Sequence, residues 1–585
     1  MAKIKTQTRK FELLVLNPGK GLNSMISDSL IKDEESSSLL NIEFVESGCP
    51  TKRKGTQQVG DTVGTRIRGI GNLYTAAGTK LLLAVMGTTL RKLVTGTWTT
   101  ITGVTLTNDK DMNFVQCRNA VYGHNGTDNM ICFDGTTLSQ PATAALPTKF
   151  GIYYKGYHIA SGSAAFPSRL YLSNPKNASD FTGSTGTASS GAAASLTDST
   201  KAWGVNDFQD LTIVITGGTG TGQSRTISAN TATVISVSTN WATNPDNTST
   251  YQISSGNWVD LQKDDGDQIT GLGKFGENLV VFKERSTWQM AFDSTFKPVF
   301  TCVNSAIGCV SHRSVENVEN DLFFLSRDGV YVLGNEPNYF NVIRTNELSA
   351  RIHPTLEGIS SSNLGMCAAI YDNYTYRLAI PYGGSTYNNY EVAYDRRYQA
   401  WTVKTGMKIN SWTIFIDSSN EKHLYYADDN AGEVREVLTQ YVDDSTAIDA
   451  YWVSKNFDLG AFDRKKQWKD ITLWFRNAIG TVSITITIDG TTITRNVTLG
   501  SSQTGSYGIG TDWLAETLLG QDGGGAYSAD IISQSEPIRI KVNKPGRTLK
   551  IKVANNVAGE YFTLLGFGIT GKIKSHSNFP SAYKY

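Results

Sequence analysis

Residues 278–334 constrain the fold of this chain more than any other segment. Twice an apolar run, at 279–282 and again at 322–325, leads through a charged turn into a second apolar run, at 287–292 and 329–333. Short runs of strand-forming residues separated by turn residues are typical of antiparallel β-hairpins. The sequence therefore predicts two consecutive hairpins in this segment.

The hairpin pattern recurs along the chain at a loose period. Positions that open a strand, followed by a turn and a second apolar strand, are Leu73, Ala120, Tyr157, Leu279, Leu322, Tyr376 and Leu424. The gaps are 47, 37, 122, 43, 54 and 48 residues, and the gap of 122 becomes 47 if the 75 residues at 180–254 are an insertion. A period of about 40–50 residues with several short strands is typical of β-propeller blades. We expect a six- or seven-bladed propeller over 66–440, the alternative being an irregular all-β protein.

The composition predicts an all-β chain of several domains. The chain has 585 residues, too many for one ordinary core, and is rich in Tyr (26), Phe (23), Trp (11) and Gly (56), whereas apolar runs with helical spacing are scarce. Besides the propeller, we expect an N-terminal arm at 1–65, an inserted small β-barrel-like module at 180–254, a jelly-roll-like C-terminal β-sandwich at 446–575 and a tail at 576–585. In the sandwich, 538–542 and 549–553 are predicted to pair as a hairpin. The arm either closes the first or last blade or docks on a neighbouring subunit.

Charge, hydropathy and cysteine usage narrow the functional classes. Lys plus Arg (54) nearly balances Asp plus Glu (53), whereas proteins that grip nucleic acid usually carry a basic excess on one face. The near-neutral charge is nevertheless compatible with nucleic acid that passes transiently along the surface of this protein without being held there. No apolar run approaches the roughly 20 residues of a membrane helix, and no convincing signal peptide is present. The six cysteines form no CxxC pair and are expected as reduced core residues of a chain made in a cytoplasm. They are Cys49, Cys117, Cys132, Cys302, Cys309 and Cys367.

Metal and phosphate sites have little support in the sequence. The six histidines stand far apart, with no HxH or HExxH pattern, so no metal site is expected. They are His124, His158, His312, His353, His423 and His576. The glycine-rich run at 217–222 (GGTGTG) lacks the Lys-Ser/Thr of a phosphate loop and is predicted to be a hairpin loop.

Catalytic groups are also not indicated. There is no GxSxG elbow, and Ser326-Arg327-Asp328-Gly329 matches a sialidase Asp-box only faintly. Adjacent acids that could act as paired carboxylates or bind calcium are more typical of solvated turns. These acids are Asp264, Asp265, Asp267, Asp428, Asp429, Asp443 and Asp444. An arginine cluster for a sugar carboxylate would have to use Arg285, Arg313 and Arg377, which have no regular spacing. We expect no enzyme activity, no catalytic residues and no cofactor.

Four segments resemble the β-propeller tail proteins of tailed bacteriophages, the group of nozzle, tail-hub and packaged-DNA stabilisation proteins. Residues 41–55, ending GCPTKRKG, are similar to their opening arm N-x6-G-x3-K-R-x-G. Residues 269–290 and 320–334 look like their consecutive blades, and 453–475 like the β-domain that follows the propeller. Residues 198–253 resemble a small β-module recurrent in phage structural proteins.

The resemblance implies a structural virion protein of the phage tail, made in the host cytoplasm. It would form a homo-oligomeric ring, expected to be a hexamer. The ring would first close the DNA exit channel and then let the DNA pass through it. Its partners would be a portal adaptor, other tail proteins, fibres or spikes, and packaged DNA in transient contact. The alternative is a receptor-binding propeller of the tail tip that recognises or cleaves glycan and gathers Arg, Trp and acids at one mouth. A non-viral adhesin is disfavoured because no export signal is present.

Overall fold

The computed structural model describes eleven stretches of the chain, which together contain almost only β-strands. They are residues 9–45, 48–64, 66–141, 147–175, 177–181, 185–209, 211–254, 258–293, 298–335, 343–499 and 537–573. The helical turns are short: His312–Ser314, Ala350–Ile352, His353–Leu356 and Ser361–Met366. In this part of the chain no helix has the length and apolar character to span a membrane.

Seven four-stranded antiparallel sheets form a β-propeller. The first strands of neighbouring blades contact one another all the way round the axis, blade 7 with blade 1 included. The strands, from axis to rim, are Ile67–Tyr74, Lys80–Met86, Thr89–Val94 and Thr97–Thr100 in blade 1; Asn113–Cys117, Ala120–His124, Ile131–Phe133 and Leu138–Ser139 in blade 2; Phe150–Tyr154, Tyr157–Ser161, Arg169–Leu172 and Trp258–Asp260 in blade 3; Ile269–Phe275, Asn278–Lys283, Thr287–Phe292 and Pro298–Asn304 in blade 4; Glu316–Val318, Asp321–Leu325, Val330–Asn335 and Ile343–Glu347 in blade 5; Ala368–Asp372, Thr375–Ile380, Tyr390–Asp395 and Ala400–Thr405 in blade 6; and Ile409–Ile416, Lys422–Asp428, Val434–Val437 and Thr56–Val59 in blade 7.

The predicted period is therefore that of a seven-bladed propeller, and each of the seven predicted positions lies in a different blade. Six of them lie in the second strand of their blade, whereas Leu73 lies in the first strand of blade 1. The turn between the apolar runs Ile67–Tyr74 and Lys80–Met86 resembles the turns of the other hairpins. The sequence pattern therefore did not show which of the two runs is the second strand of a blade. Both hairpins predicted from residues 278–334 are present.

Blade 7 takes its outermost strand from the N-terminal part of the chain. Thr56–Val59 pairs antiparallel with Val434–Val437, with Val59 opposite Val434 and Thr56 opposite Val437. Two alternatives were open for the arm: closing the first or last blade, or docking on a neighbouring subunit. The strand Thr56–Val59 closes the last blade. The circle of blades is therefore completed by hydrogen bonds between segments that lie far apart in sequence.

The inserted module lies within blade 3, between its third and fourth strands. Tyr171 and Trp258 pair directly, so the blade continues across the insertion. The module is a curled seven-stranded sheet around Leu196, Ile213, Ile235 and Trp241, all buried. Residues 217–222 form the turn between two of its strands. In chain order the strands are Thr185–Thr187, Ser190–Ala192, Ser195–Thr197, Thr212–Gly217, Ser224–Asn230, Val234–Val237 and Thr250–Ser254.

A ten-stranded β-sandwich follows the propeller and includes four strands of the N-terminal arm. The arm contributes Arg9–Leu16, Ser36–Leu40, Ile42–Val45 and Cys49–Lys52. The C-terminal part contributes Ala450–Ser454, Lys466–Ile488, Thr491–Leu499, Ile538–Gly546, Leu549–Asn555 and Tyr561–Ile573, and a small ribbon, Val442–Asp443 with Thr446–Ala447, precedes them.

The 23-residue strand Lys466–Ile488 belongs to both layers of the sandwich. Its first part pairs with Ile538–Gly546 and Tyr561–Ile573, which we call layer 1. Its second part pairs with Thr491–Leu499 and Leu549–Asn555, which we call layer 2. The predicted hairpin of 538–542 with 549–553 is therefore wrong, because the two strands pair with different parts of this one strand.

One apolar cluster joins the propeller to the sandwich. It runs from blades 5 and 6 through the arm into the space between the two layers, and it includes Trp401, Trp452 and Trp468, each at most 1% exposed. The two domains therefore share a core.

All six cysteines are free. Five are buried or half-buried as expected, but the expectation of a core position is wrong for Cys302, which is exposed. It lies on the outermost strand of blade 4, at the rim of the propeller, and among the described residues no further strand pairs with this edge.

Candidate functional site

A cavity of about 870 Å³ opens at one mouth of the propeller axis. Its lining comes from the starts of the first strands, and the connections before them, in blades 1 to 6, and from the loops between the second and third strands of blades 2 to 5. Clefts where several elements converge are the usual place for ligands in a propeller or other closed β-structure. The residues that define this cavity are Arg68, Asp111, Phe150, Thr270, His312 and Met366.

An ion-pair network forms one wall of the cavity. Asp111 accepts hydrogen bonds from Arg68 Nη1 (3.3 Å), Arg313 Nη2 (3.0 Å) and Asn410 Nδ2 (2.9 Å). Arg68 also contacts Asp109 and, through Nη1, Asp429 at 3.0 Å. These contacts connect blades 1, 5 and 7 at the axis, and every carboxylate in the network has an arginine partner.

The network shifts the pKa values of two carboxylates in opposite directions. Burial alone would raise the pKa of Asp111, but Arg313, Arg68 and the hydrogen bond from Asn410 outweigh burial and lower it. Burial dominates at Asp429 and raises its pKa, because Arg68 and Arg66 compensate only in part. Carboxylates with diverging pKa values can serve as an acid–base pair. Here the side chain of Asp429 is 1% exposed and does not line the cavity, so it is not placed to exchange a proton with a ligand.

The rim of the cavity is more basic than its wall. Lys110 and Lys149 are exposed, and Arg327 contacts Glu284. The cavity can accept small polar or anionic groups through these ammonium and guanidinium groups. The sequence analysis named four residues of this site in other contexts: Arg313, Asp429, His312 and Arg327. Arg68 and Asp111 were missed because the sequence offers no spacing signal for them.

The histidines do not all belong to one site. Three of them, His124, His158 and His312, lie close together in the propeller. His124 Nε2 and His158 Nε2 are 3.0 Å apart, and the ring of His312 stacks on Phe150 at 4.6 Å. His353 contacts Glu357, and His576 lies outside the described residues. Burial lowers the pKa of His158 and of His312 to about 4, so these rings are neutral at pH 7.

His423 belongs to a group of potential metal ligands that the sequence analysis missed. Its ring lies with the carboxylates of Asp417 and Glu421 so that one ligand atom of each is within 4.8 Å of the others. The spacing D-x3-E-x-H on a hairpin was the available signal. His423 Nδ1 is already 2.6 Å from Glu436 Oε1, and Asp417 Oδ1 accepts the backbone N–H of Glu421, as in an ordinary turn.

The three arginines considered for a sugar carboxylate lie in three places. Arg313 is in the cavity wall, and Arg285 is 60% exposed near Asp267. Arg377 lines a separate cleft of about 640 Å³ between blades 6 and 7 and the arm, where it contacts Glu391 at 3.0 Å.

The acids considered as catalytic pairs are engaged in turns or ion pairs. Asp265 contacts Lys283 Nζ at 2.5 Å, Asp428 Oδ1 accepts two backbone N–H groups, and Asp444 contacts Arg435.

Residues 41–55 fasten the arm to both domains. Asn41, with a φ of +54°, accepts hydrogen bonds through Oδ1 from Arg53 Nε and from the backbone N–H of Thr405 in blade 6, both at 2.9 Å. Arg53 grips Asp443 with two bonds of 3.0 and 2.6 Å. Lys52 Nζ donates to Asn555 Oδ1 of the sandwich at 2.7 Å. These three residues therefore join propeller, arm and sandwich, and we call them the arm junction.

A second ion-pair cluster supports the arm junction. Glu43 contacts Lys404 Nζ at 2.5 Å and Arg377 Nη2 at 3.6 Å, both from blade 6. Burial alone would raise the pKa of Glu43, but these two cations outweigh it and lower the pKa to about 2. Burial also lowers the pKa of Lys52 to about 8. Glu43 is thus held by two cations, whereas the ammonium group of Lys52 donates to two neutral oxygens, Asn555 Oδ1 and the carbonyl of Val557.

Comparison with known proteins adds only structural neighbours. No protein-family model matches the chain, and no curated protein sequence matches it. Similar solved structures include the computationally designed Ika8 protein, with 9% identity and a TM-score of 0.32 over 65% of this chain and 100% of that chain. A second is YCF48 bound to D1 peptide, with 11% identity and a TM-score of 0.34 over 69% of this chain and 98% of that chain. A third is BamB from Moraxella catarrhalis, with 9% identity and a TM-score of 0.29 over 66% of this chain and 97% of that chain. At such values the likeness concerns the fold alone, and the propeller follows from the sheet topology itself.

Proposed function

We propose that this chain is a structural subunit of a bacteriophage tail, a nozzle or tail-hub protein that assembles into a ring of about six copies. In this role the ring closes the DNA exit channel, conducts the genome when it opens and anchors neighbouring tail proteins. The proposal starts from the resemblance of residues 41–55, 269–290, 320–334 and 453–475 to propeller tail proteins.

The arm junction is the observation that carries the proposal. Asn41, Lys52, Arg53 and Gly55 are named positions of the arm pattern, and each has a structural task. Gly55 is required because a Cβ there would lie 1.8 Å from the carbonyl oxygen of Val442. Through these residues the arm, propeller and sandwich form one body with a shared core. Such a body suits a mechanical part that must transmit force without unfolding.

The central cavity agrees with a mechanical role better than with the glycan-recognising alternative. Its carboxylates are held by Arg68 and Arg313 in contacts between blades. A glycan site of the expected kind would gather arginines, tryptophans and acids at one mouth. The cavity does bring Arg68, Arg313 and Arg327 together with Asp109 and Asp111, but these acids are already paired with Arg68 and Arg313. Arg285, Arg313 and Arg377 lie apart, and the described lining of the cavity contains Phe150 and His312 but no tryptophan.

The test is the mass of the purified chain in solution, measured by light scattering alone and after mixing with the candidate portal adaptor, with electron-microscopy class averages of any assembly. We expect a ring of about six copies, alone or on the adaptor. A monomer that ignores the adaptor and binds host glycan would overturn the proposal in favour of receptor recognition.

A further inference from the structure

Layer 1 of the sandwich has an outer face that carries several positive charges. Arg539 and Lys541 are exposed and alternate with buried residues along the strand Ile538–Gly546, so both point away from the core. On the neighbouring strand, Lys466–Ile488, the exposed Lys469 lies in a bulge. Three cations therefore lie together at one edge of the layer.

The face continues across two more strands, Tyr561–Ile573 and Arg9–Leu16. Lys572 lies directly opposite Lys10. Both point outward, because Phe11, the neighbour of Lys10, packs against the core on the other side of its strand. Like charges directly opposite in an antiparallel sheet are destabilising, so this end of the face also favours an anionic partner.

Two carboxylates on the same side offset only part of this charge. Glu12 is exposed and lies two positions from Lys10. Asp470 lies opposite Lys541 and accepts a hydrogen bond from Arg539 Nη2 at 2.8 Å. At least five cations against two carboxylates leave an excess of about three positive charges on the described part of this face.

The same face carries exposed apolar surface. Leu14 and Leu16 are 55% and 53% exposed. Leu16 lies over Gly566, and the ring of Trp474 lies over Gly568, so the apolar part is a flat patch and not a groove. We call this patch and the seven charged residues together the layer-1 face. A partner that covers it needs acidic groups together with apolar side chains.

Residues 500–536 have this composition. They lie outside the described residues, and they contain five acidic residues but no lysine, arginine or histidine. The apolar pairs Trp513-Leu514 and Leu518-Leu519 stand next to some of these acids in the sequence. The acids are Asp512, Glu516, Asp522, Asp530 and Glu536. The segment is therefore complementary to the layer-1 face in charge and in hydropathy.

Both ends of this segment are fixed close to the layer-1 face. The segment follows Leu499, which lies opposite Gly480, and it leads into Ile538, which lies opposite Leu473. Gly480 and Leu473 belong to one strand, and the distance along it is at most about 23 Å at about 3.3 Å per residue. About ten residues could bridge this distance. Most of the 37 residues are therefore available to lie on the face.

We propose that residues 500–536 bind the layer-1 face of their own chain, with their acidic groups on its cations. The tether favours this occupant over a separate molecule, because it holds the acids beside the cations at an effective concentration on the order of millimolar. The chain ends are poorer occupants, since residues 1–8 and 574–585 contain lysine but no acidic residue. A nucleic acid could contact the same cations, but it would have to displace the tethered acids.

The first test is carbodiimide cross-linking of the full chain, which joins carboxylates to ammonium groups that touch them. Unlabelled and isotope-labelled chains are mixed, so that mass spectrometry separates links within a chain from links between chains. We expect links within one chain from the acids of residues 500–536 to Lys469, Lys541 or Lys572. Lys552 is the control, because it alternates with buried residues of layer 2 and points away from layer 1. Links to Lys552 in equal yield, links between chains only, or no links to the layer-1 face would overturn the proposal.

The second test removes the acidic charges in the full chain by Asp512→Asn, Glu516→Gln, Asp522→Asn, Asp530→Asn and Glu536→Gln. The rate at which an acetylating reagent modifies Lys541 should rise several-fold in this variant at low salt, whereas the rate at Lys552 should not change. High salt should raise the rate at Lys541 in the unsubstituted chain as well, because it screens the same attraction.

An unchanged rate at Lys541 would overturn the proposal. If Lys541 of the unsubstituted chain becomes protected only when a short DNA duplex is added, the face is a nucleic-acid site and the proposal is again overturned. Circular dichroism and thermal melting confirm that the variant is folded. The cross-linking of the unsubstituted chain decides the question if the variant is not folded.

Discussion

Two neutral histidines join blades 2 and 3 through a hydrogen-bond chain with a single direction. His158 Nδ1 lies 3.0 Å from the carbonyl oxygen of Ala178, so it must carry the proton and donate. His158 Nε2 is then an acceptor and receives the Nε2–H of His124, whose Nδ1 accepts from the Thr148 hydroxyl at 2.8 Å. Gly151 is required beside the pair, since a Cβ there would lie 2.7 Å from His158 Nε2.

This chain of bonds predicts that the protein loses stability in mild acid. Burial holds the pKa of His124 well below its usual 6.5 and that of His158 at about 4, so the unfolded chain binds more protons between these values. The stabilisation is complete above pH 6.5 and is lost as the pH falls towards 4, by about 3 kcal/mol for His158 alone. We expect His124→Gln to show a smaller loss in thermal melts between pH 7.5 and 4.5. His353→Gln, at a surface turn, is the control, and an unchanged slope in His124→Gln would contradict the interpretation.

The arm junction predicts a large effect of a single side chain. Arg53→Ala removes a guanidinium group that is 2% exposed and leaves the half-buried carboxylate of Asp443 without its bidentate partner, which should lower the free energy of unfolding by about 3 kcal/mol. Arg539→Ala removes a pair of similar length with Asp470, but Arg539 is 65% exposed, and the expected cost is at most about 1 kcal/mol. Denaturant unfolding of both variants measures the difference. Equal costs would mean that Arg53 does not fasten the arm.

At the scale of elements, the inserted module should be removable. Its core is separate from those of the blades, and blade 3 pairs across the insertion point at Tyr171 and Trp258. Replacing residues 185–254 by a short Gly/Ser linker should leave the melting temperature of the remaining protein within a few degrees. Calorimetry of the deletion variant measures this temperature. Aggregation, or a drop of more than about 10 °C, would show that the module supports the propeller.

The blades were readable from the sequence because the inner strands of each blade form a local unit. A hairpin such as Asn278–Lys283 with Thr287–Phe292 carries its own turn and alternation, so one predicted position fell in each of the seven blades, although the period left six or seven blades open. Pairings between distant segments left no such signal. Nothing in Arg9–Leu16 indicates Tyr561–Ile573 as its partner, and nothing in Arg68 indicates Asp111 or Asp429. The same gap explains the wrong hairpin at 538–553, where sequence proximity suggested a pairing that the long strand Lys466–Ile488 prevents.

At the scale of the whole molecule, the arm should hold the protein together without a covalent link. It supplies one strand to blade 7 and four strands to the sandwich. If a protease site is inserted next to Gly64, where a Cβ would meet open space, cleavage should leave the arm bound. We expect both fragments to co-elute in size-exclusion chromatography under native conditions and to separate in denaturant. Release of the arm in native buffer would contradict this architecture.

The pairing of Arg9–Leu16 with Tyr561–Ile573 has a consequence for synthesis on the ribosome. The first described strand must wait for the last one, about 550 residues later, which at a synthesis rate of about 5–20 residues per second takes about half a minute to two minutes. Thr56–Val59 must likewise stay unpaired until its partner in blade 7, Val434–Val437, has been synthesised. The nascent chain therefore emerges with its leucine-rich arm unpaired, and full burial of the arm follows only after nearly the whole sequence has left the exit tunnel. Expression conditions that slow elongation should lengthen this exposed interval and increase aggregation.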